Sequence, residues 1–292
     1  MERKEESPDA MNTGSLSTPA GFEVTESPSL TSLLHQVEAQ RAEIDRQRSE
    51  RPDLWPTVQE KLKFTWTYDS NAIEGSTLSL GDTIFYLKEG LTVEGKPLKD
   101  FLDARNHAEA VDLLGDVVAA RRAITEGLLK EINALLLLGV RATPAINERG
   151  ERIEKEARPG EYKRLPNHVL QPDGTIHRYV DPLQVPGGMA ALCGWIATQE
   201  GRTHPVTVAA IAHHDLVRIH PFDDGNGRGA RLLMNLILMK AGYPPAVVRN
   251  ERRRQYLAAL KDADSGALAP FIEFIASSLA ETQAVILADL RR

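Results

Sequence analysis

His220-Pro-Phe-Asp-Asp-Gly-Asn-Gly-Arg-Gly-Ala-Arg231 is the stretch that decides how this chain is read. It joins two apolar runs, Val206–Ile219 and Arg231–Met239, each with the periodicity of a helix. Glycine disfavours a helix by about 1 kcal/mol relative to alanine, so stability alone gives no reason to gather Gly225, Gly227 and Gly229 at a helix junction. Gly225, Asn226 and Gly227 can turn successive backbone N–H groups outward. The helix that follows points its positive end and its orphan donors at whatever sits there. Arg228 and Arg231 lie three apart, on one face of that helix, and can reach outer phosphates. Asp224 suits Mg²⁺, which takes carboxylate and phosphate oxygens. His220 stands where a general base for an attacking hydroxyl would stand. A tight turn capped by salt bridges is the plain alternative, and each element alone favours it. Together they describe a seat for a polyphosphate.

A metal hydrolase using His213, His214, His220, Asp223 and Asp224 is a weaker reading. His213 and His214 leave different sides of a helix, and the glycines and arginines stay unexplained.

Outward from this segment, the chain of 292 residues is 42% hydrophobic and 26% charged, as in ordinary globular proteins. Its net charge of −6 disfavours a general nucleic-acid binder. A single cysteine, Cys193, excludes an intramolecular disulfide and a Cys-rich zinc site. No secretory signal is visible, and no window of about 18 apolar residues suggests a membrane span. A cytoplasmic protein without nucleic-acid or membrane partners is the expectation.

Residues 1–28 are rich in Ser, Thr, Pro and Glu and are expected to be disordered. Helical periodicity predicts helices over Leu30–Ser49, where Arg41 interrupts the apolar stripe, and over Trp55–Ile73. Further helices are predicted at 101–123, 125–138, Leu183–Gln199, Pro205–Ile219, Gly227–Lys240, Glu251–Leu260 and Pro270–Leu290. Two β-prone runs flank Pro172-Asp173-Gly174, a hairpin signal within Asn167–Val180. The fold class is therefore all-α with one small β-hairpin. The expected division is a tail (1–28), an N-terminal helical region (29–110), a central domain (111–275) and a C-terminal helix (276–292).

The central segment resembles the Fic (filamentation induced by cAMP) signature His-x-Phe-x-[Asp/Glu]-Gly-Asn-Gly-Arg-x-x-Arg at every specified position. Leu232-Leu-Met-Asn235 and Ala241-Gly-Tyr-Pro-Pro245 are similar to its continuation in close relatives. The resemblance runs from about Asn71 to about Ile275. It implies a Fic-type helical bundle and a protein adenylyltransferase moving AMP from ATP, with Mg²⁺ or Mn²⁺, onto a Ser, Thr or Tyr hydroxyl. The acceptor would be a target protein or the enzyme itself. His220 resembles the base, Phe222 the buried loop anchor and Asp224 the metal ligand. Gly225, Asn226 and Gly227 resemble the anion hole, and Arg228 and Arg231 the contacts to outer phosphates. A kinase-like branch carries Lys where Gly227 stands, so nucleotide transfer is favoured.

Ser70-Asn-Ala-Ile-Glu74-Gly75 resembles the family's inhibitory motif, in the class that supplies it from an N-terminal helix. Glu74 would pair with Arg231 and hold it from the γ-phosphate; a glutamate on a solvated face is the alternative. In some relatives this glutamate positions a water that removes AMP again. Gly160-Glu-Tyr-Lys163 and the hairpin resemble a flap in which His168 and Val169 align the target, with an ordinary exposed hairpin as the alternative. Tyr256 resembles an adenine-pocket residue or is a core aromatic. Asp264 stands where relatives carry an adenine-contacting Asn, and Arg252–Arg254 read as a solvated face. The resemblance also implies a homodimer. The competing functions are transfer of another nucleotide and a nucleotide-binding, antitoxin-like interaction module.

Overall fold

The apolar runs on either side of the glycine-rich junction form helices α7 (Pro205–Ile219) and α8 (Asn226–Lys240). From Ala230 to Leu238 every residue of α8 is buried, and so is every residue of α7 from Val206 to Leu216. Helices buried around their whole circumference over these stretches have no solvent face there, so both are central. The structure is a computed structural model, which describes residues 16–24, 27–146, 151–170 and 176–291.

Eight further helices surround this pair among the described residues: α1 (Pro28–Glu50), α2 (Trp55–Ile73), α3 (Leu80–Glu89), α4 (Leu98–Ala119), α5 (Glu126–Leu136), α6 (Val185–Gln199), α9 (Arg253–Asp264) and α10 (Ala269–Leu290). Their ends follow local chemistry. Ser27 accepts a hydrogen bond from the Leu30 N–H and caps α1. Ser79 and Asp82 form a reciprocal capping box at the start of α3. The helices predicted at Trp55–Ile73 and Pro205–Ile219 have the predicted limits.

Helix α10 packs along α1 and also touches α7 and α9. Its length and composition would allow it to cross a membrane, which the reading by windows missed. However, 67% of its most apolar window is buried inside the protein. Ile286, Leu287 and Leu290 of α10 close a separate small cluster with Ile44 of α1 and Val58 of α2. Arg41, the break in the α1 stripe, stacks over the Tyr243 ring at 4.6 Å and donates to the Ala241 carbonyl. A guanidinium can occupy a mostly apolar interface in this way because its flat face is weakly hydrated.

Among the described residues there are three two-stranded antiparallel pairs: β1 (Leu16–Ser17) with β2 (Glu23–Val24), β3 (Ala142–Ile146) with β4 (Arg152–Glu156), and β5 (His168–Leu170) with β6 (Ile176–Arg178). The last is the expected hairpin, with Val169 opposite His177; Pro172-Asp173-Gly174 lies outside the described residues. The pair β3–β4 was not anticipated, because Pro and charged residues masked its alternation.

Two corrections concern organisation. Residues 16–24 are ordered rather than an unstructured tail; residues 1–15 lie outside the described part. Val24 is buried, the Ser17 carbonyl accepts from Trp195 Nε1 at 3.0 Å, and Phe22 lies against the His214 ring. Two apolar anchors are enough to order a short polar segment once a surface is there to receive them. The divisions at 110/111 and 275/276 both fall inside continuous helices, α4 and α10.

The cluster that holds α1 to the rest predicts a stability effect. Leu30 is fully buried, so Leu30→Ala is expected to cost about 2–5 kcal/mol in urea unfolding with an unchanged m value. A loss below about 1 kcal/mol would mean that α1 is not part of the cooperative unit.

Candidate active site

Helix α7 ends at His220, whose backbone is left-handed (φ 50°, ψ 60°) and whose N–H donates to the Leu216 carbonyl at 2.9 Å. Only one other described non-glycine residue, Arg121, has a positive φ. A non-glycine residue in that region stores backbone strain, which the surroundings must hold. Here they do. The Asn226 side chain accepts from the Phe222 N–H and donates to the Phe222 carbonyl, both at 2.9 Å. Phe222 is buried, as its expected anchoring position requires. Asn133 of α5 donates to the Asp224 carbonyl at 2.9 Å and accepts from the Gly160 N–H at 3.0 Å. Gly225 turns the chain at φ 78° and α8 begins. The Asn226 side chain thus builds the loop, leaving its backbone N–H for an anion.

The first turn of α8 faces a carboxylate from α2. A Cβ added to Gly227 would fall inside van der Waals contact of Glu74 Oε1 and 3.2 Å from Glu74 Cδ. A larger residue here would therefore displace the end of the Glu74 side chain. Arg231 is buried; its Nε donates to Ser70 Oγ (3.0 Å), and its Nη2 to the Ser70 carbonyl (2.8 Å) and to Glu74 Oε1 (2.8 Å). Burial opposes ionisation of Glu74, but the charge and hydrogen bond of Arg231, with Arg228 and Arg253 nearby, outweigh it and hold the carboxyl below its ordinary value. The Glu74 side chain nevertheless keeps 43% of its surface exposed, so it lies at the mouth of the seat and not in the core.

Helix α2 is bolted in place on the face opposite its solvent side. Asp69, one turn before Ile73, accepts from Arg249 Nη1 (3.1 Å) and from the Asn250 N–H (2.9 Å). Arg253 Nε donates to the Ile73 carbonyl at 2.8 Å, a cation on the negative end of α2. Arg253 is thus more than part of a solvated face.

Other expected site residues fall into place or out of it. Arg228 is buried and pairs through Nη1 with Asp103 of α4 at 2.6 Å; Asp224 lies 3.9 Å from its Nη2. It ties α8 to α4 as well as facing the loop. Asp224 Oδ1 accepts from the Gly225 N–H. Tyr256 is only 2% exposed, with its hydroxyl 2.9 Å from His213 Nε2 and 3.4 Å from Arg231 Nη1. Of the two readings of Tyr256, adenine-pocket residue or core aromatic, its burial behind Arg231 accords with the second. His213 and His214 do diverge, the second pairing with Asp264 at 3.0 Å. Strand pairing sets His168 opposite Arg178. Asp103, Asn133, Tyr179 and the hold of Lys163 on the backbone beside His220 were missed. Tyr179 stacks on the His220 ring with centroids 3.7 Å apart and planes 16° apart. No short-range pattern announces these four, since each acts on a residue far away in the chain.

The Glu74–Arg231 pair predicts a pH dependence. A carboxyl with a lowered folded pKa adds stability above its unfolded value and loses it as pH falls through the folded value. Glu74→Gln should therefore unfold earlier than the parent at about pH 7, with the gap narrowing toward about pH 3. A gap independent of pH would remove the ion pair as its cause.

With this geometry in hand, the comparisons can be read. A family model described as "Fic/DOC family" matches residues 123–238. The "Protein adenylyltransferase Fic" proteins of Drosophila grimshawi and Drosophila melanogaster are each 36% identical over 228 residues. Those alignments cover 75% of this chain but 42% and 41% of the relatives, so the chain spans less than half of their length. Among solved structures, a Fic domain containing signaling protein from Bacteroides thetaiotaomicron is 28% identical with a TM-score of 0.77, covering 89% of this chain and 97% of the other. Fic-1 from C. elegans is 26% identical with a TM-score of 0.75, covering 90% and 73%. The glycine-rich junction, the helical bundle around it and these matches lead to one conclusion: this chain belongs to the Fic/DOC family.

Proposed function

We propose that this chain transfers AMP from ATP to a Ser, Thr or Tyr hydroxyl of a target protein, or of itself, and that Glu74 restrains it. The observation that carries the reading is the carboxylate of Glu74 lying against Gly227 and paired with Arg231. An oxyanion is already held at the head of α8, where orphan N–H groups and the helix dipole favour negative charge. A polyphosphate needs the same donors. Relatives named as protein adenylyltransferases supply the reaction class.

In the proposed step the acceptor oxygen attacks the α-phosphorus in line. The bond to the bridging oxygen breaks, pyrophosphate leaves, and the hydroxyl proton passes to the His220 imidazole. The N–H groups of Asn226 and Gly227 hold phosphate oxygens, with Arg228 and Arg231 toward the outer phosphates. Tyr256 orients Arg231 from behind, and the β5–β6 flap with His168 and Val169 would align the target by strand pairing. While Glu74 occupies Arg231, the γ-phosphate loses that guanidinium, so the nucleotide is held out of line.

A divalent ion fits this site only as part of the nucleotide complex. Asp224 offers one partly exposed carboxylate, and no group of three or more His, Cys, Asp or Glu side chains able to hold a metal is found among the described residues. Mg²⁺ commonly binds through one or two carboxylates plus phosphates. Asp224 would hold it and the ion would neutralise phosphate charge.

Incubation with α- or γ-labelled ATP and Mg²⁺ tests this reading. The parent should label itself weakly from the α-label alone. Glu74→Gly should raise this about tenfold or more, the factor matching a charged hydrogen bond of about 1.5 kcal/mol. Glu74→Gly with His220→Ala should label at least about a hundredfold less than Glu74→Gly. Transfer from the γ-label would mean kinase chemistry, and no labelling of any variant would leave a nucleotide-binding module.

A further inference from the structure

The strained backbone at His220 needs something to hold it, and the surrounding contacts single out one residue. Lys163 lies between β4 and β5, far from α7 in sequence, and is only 2% exposed. Its backbone N–H donates to the Pro221 carbonyl at 2.8 Å. Its ammonium lies 3.4 Å from the Ile219 carbonyl. The carbonyls of Ile219 and Pro221, the residues before and after His220, are thus both held by the same residue. The same ammonium stands 5.9 Å from the centre of the Tyr179 ring, within cation–π range, and Tyr179 is the ring stacked on His220.

An imidazole at a helix end can turn about two side-chain torsions. A nearly parallel ring at 3.7 Å stops rotation of its plane, because tilting would drive the two rings into each other. The His220 Nδ1 atom is buried, so the ring meets an incoming hydroxyl through Nε2. Its usefulness as a base then depends on the direction in which Nε2 points. Burial pushes the Lys163 amine down to about 8, with Lys155 adding to the effect. A cation kept at that cost in a packed position is consistent with a fixed geometric task.

We propose that Lys163 and Tyr179 are positioning residues for His220: Lys163 fixes the carbonyls of its two chain neighbours, Ile219 and Pro221, and Tyr179 fixes the plane of its ring. The inference rests on the reading of His220 as the base. Neither residue touches the reacting atoms in this role. Removing either one leaves the nucleotide seat on α8 intact while the base loses its aim, so turnover falls and nucleotide affinity does not.

The test uses the full chain carrying Glu74→Gly, with Tyr179→Ala, Tyr179→Leu, Tyr179→Phe or Lys163→Met added. Tyr179→Ala and Tyr179→Leu should lower kcat roughly tenfold or more while KM for ATP stays within about twofold. Phenylalanine keeps the stack, so Tyr179→Phe should restore kcat to within about threefold of the parent. Lys163→Met should behave like Tyr179→Ala. An activity-independent readout is the His220 Cε1–H resonance, which the Tyr179 ring current should displace. Tyr179→Leu should abolish that displacement and Tyr179→Phe should keep it. Unchanged kcat in Tyr179→Leu, a Tyr179→Phe as slow as Tyr179→Ala, or a loss confined to KM would overturn the inference. Labelling that survives His220→Ala would instead overturn the transfer reaction proposed above.

Discussion

One buried guanidinium organises the site. Arg231 sits on the central helix with almost no solvent, and a charge there is tolerated only if its donors are matched. The matching comes from two separate parts of the chain: the end of α2, through Ser70 by side chain and backbone and Glu74 by its carboxylate, and α9, through the Tyr256 hydroxyl. The end of α2 and the start of α9 are thereby referred to the same point on α8. Arg249, Asn250 and Arg253 reinforce this by gripping α2 at Asp69 and Ile73, one turn apart.

The consequence is a Glu74–Arg231 contact that is stiff in its backbone and loose in its tip. Moving α2 away would strip Asp69, Ser70 and the Ile73 carbonyl of partners in a buried setting. Rotating the Glu74 side chain breaks only the contact with Arg231, and Glu74 already faces solvent over 43% of its surface. Relief through side-chain rotation is therefore the cheaper movement.

Much of the helical framework was legible locally. The limits of α2 and α7 followed from apolar spacing, Pro near helix starts and the stop at Gly75. The junction at 220–231 stood out because glycines, arginines and a histidine there had no stabilising purpose. Its pairing with Glu74 was expected through the resemblance, and the geometry agrees. Other parts were illegible for identifiable reasons. Tyr256 could equally be pocket or core, because an amphipathic face does not say what covers it. The pair β3–β4 was hidden by charged residues in strands whose partners are only each other. The ordering of Leu16–Val24 depends on Trp195 and His214, residues far along the chain, which local composition cannot register.

Taken alone, the order of residues determined which segments are helical and where the glycine-rich junction lies, and the resemblance it carries pointed to the glutamate that reaches it. Those are properties of short windows, governed by backbone conformation and by spacing along one helix. Only the folded structure decided that Asp103 partners Arg228, that Asn133 ties the loop to α5, and that Lys163 and Tyr179 hold His220. These contacts join residues tens of positions apart, and their strength depends on distance in space and exclusion of water, neither of which has a local signature in the chain.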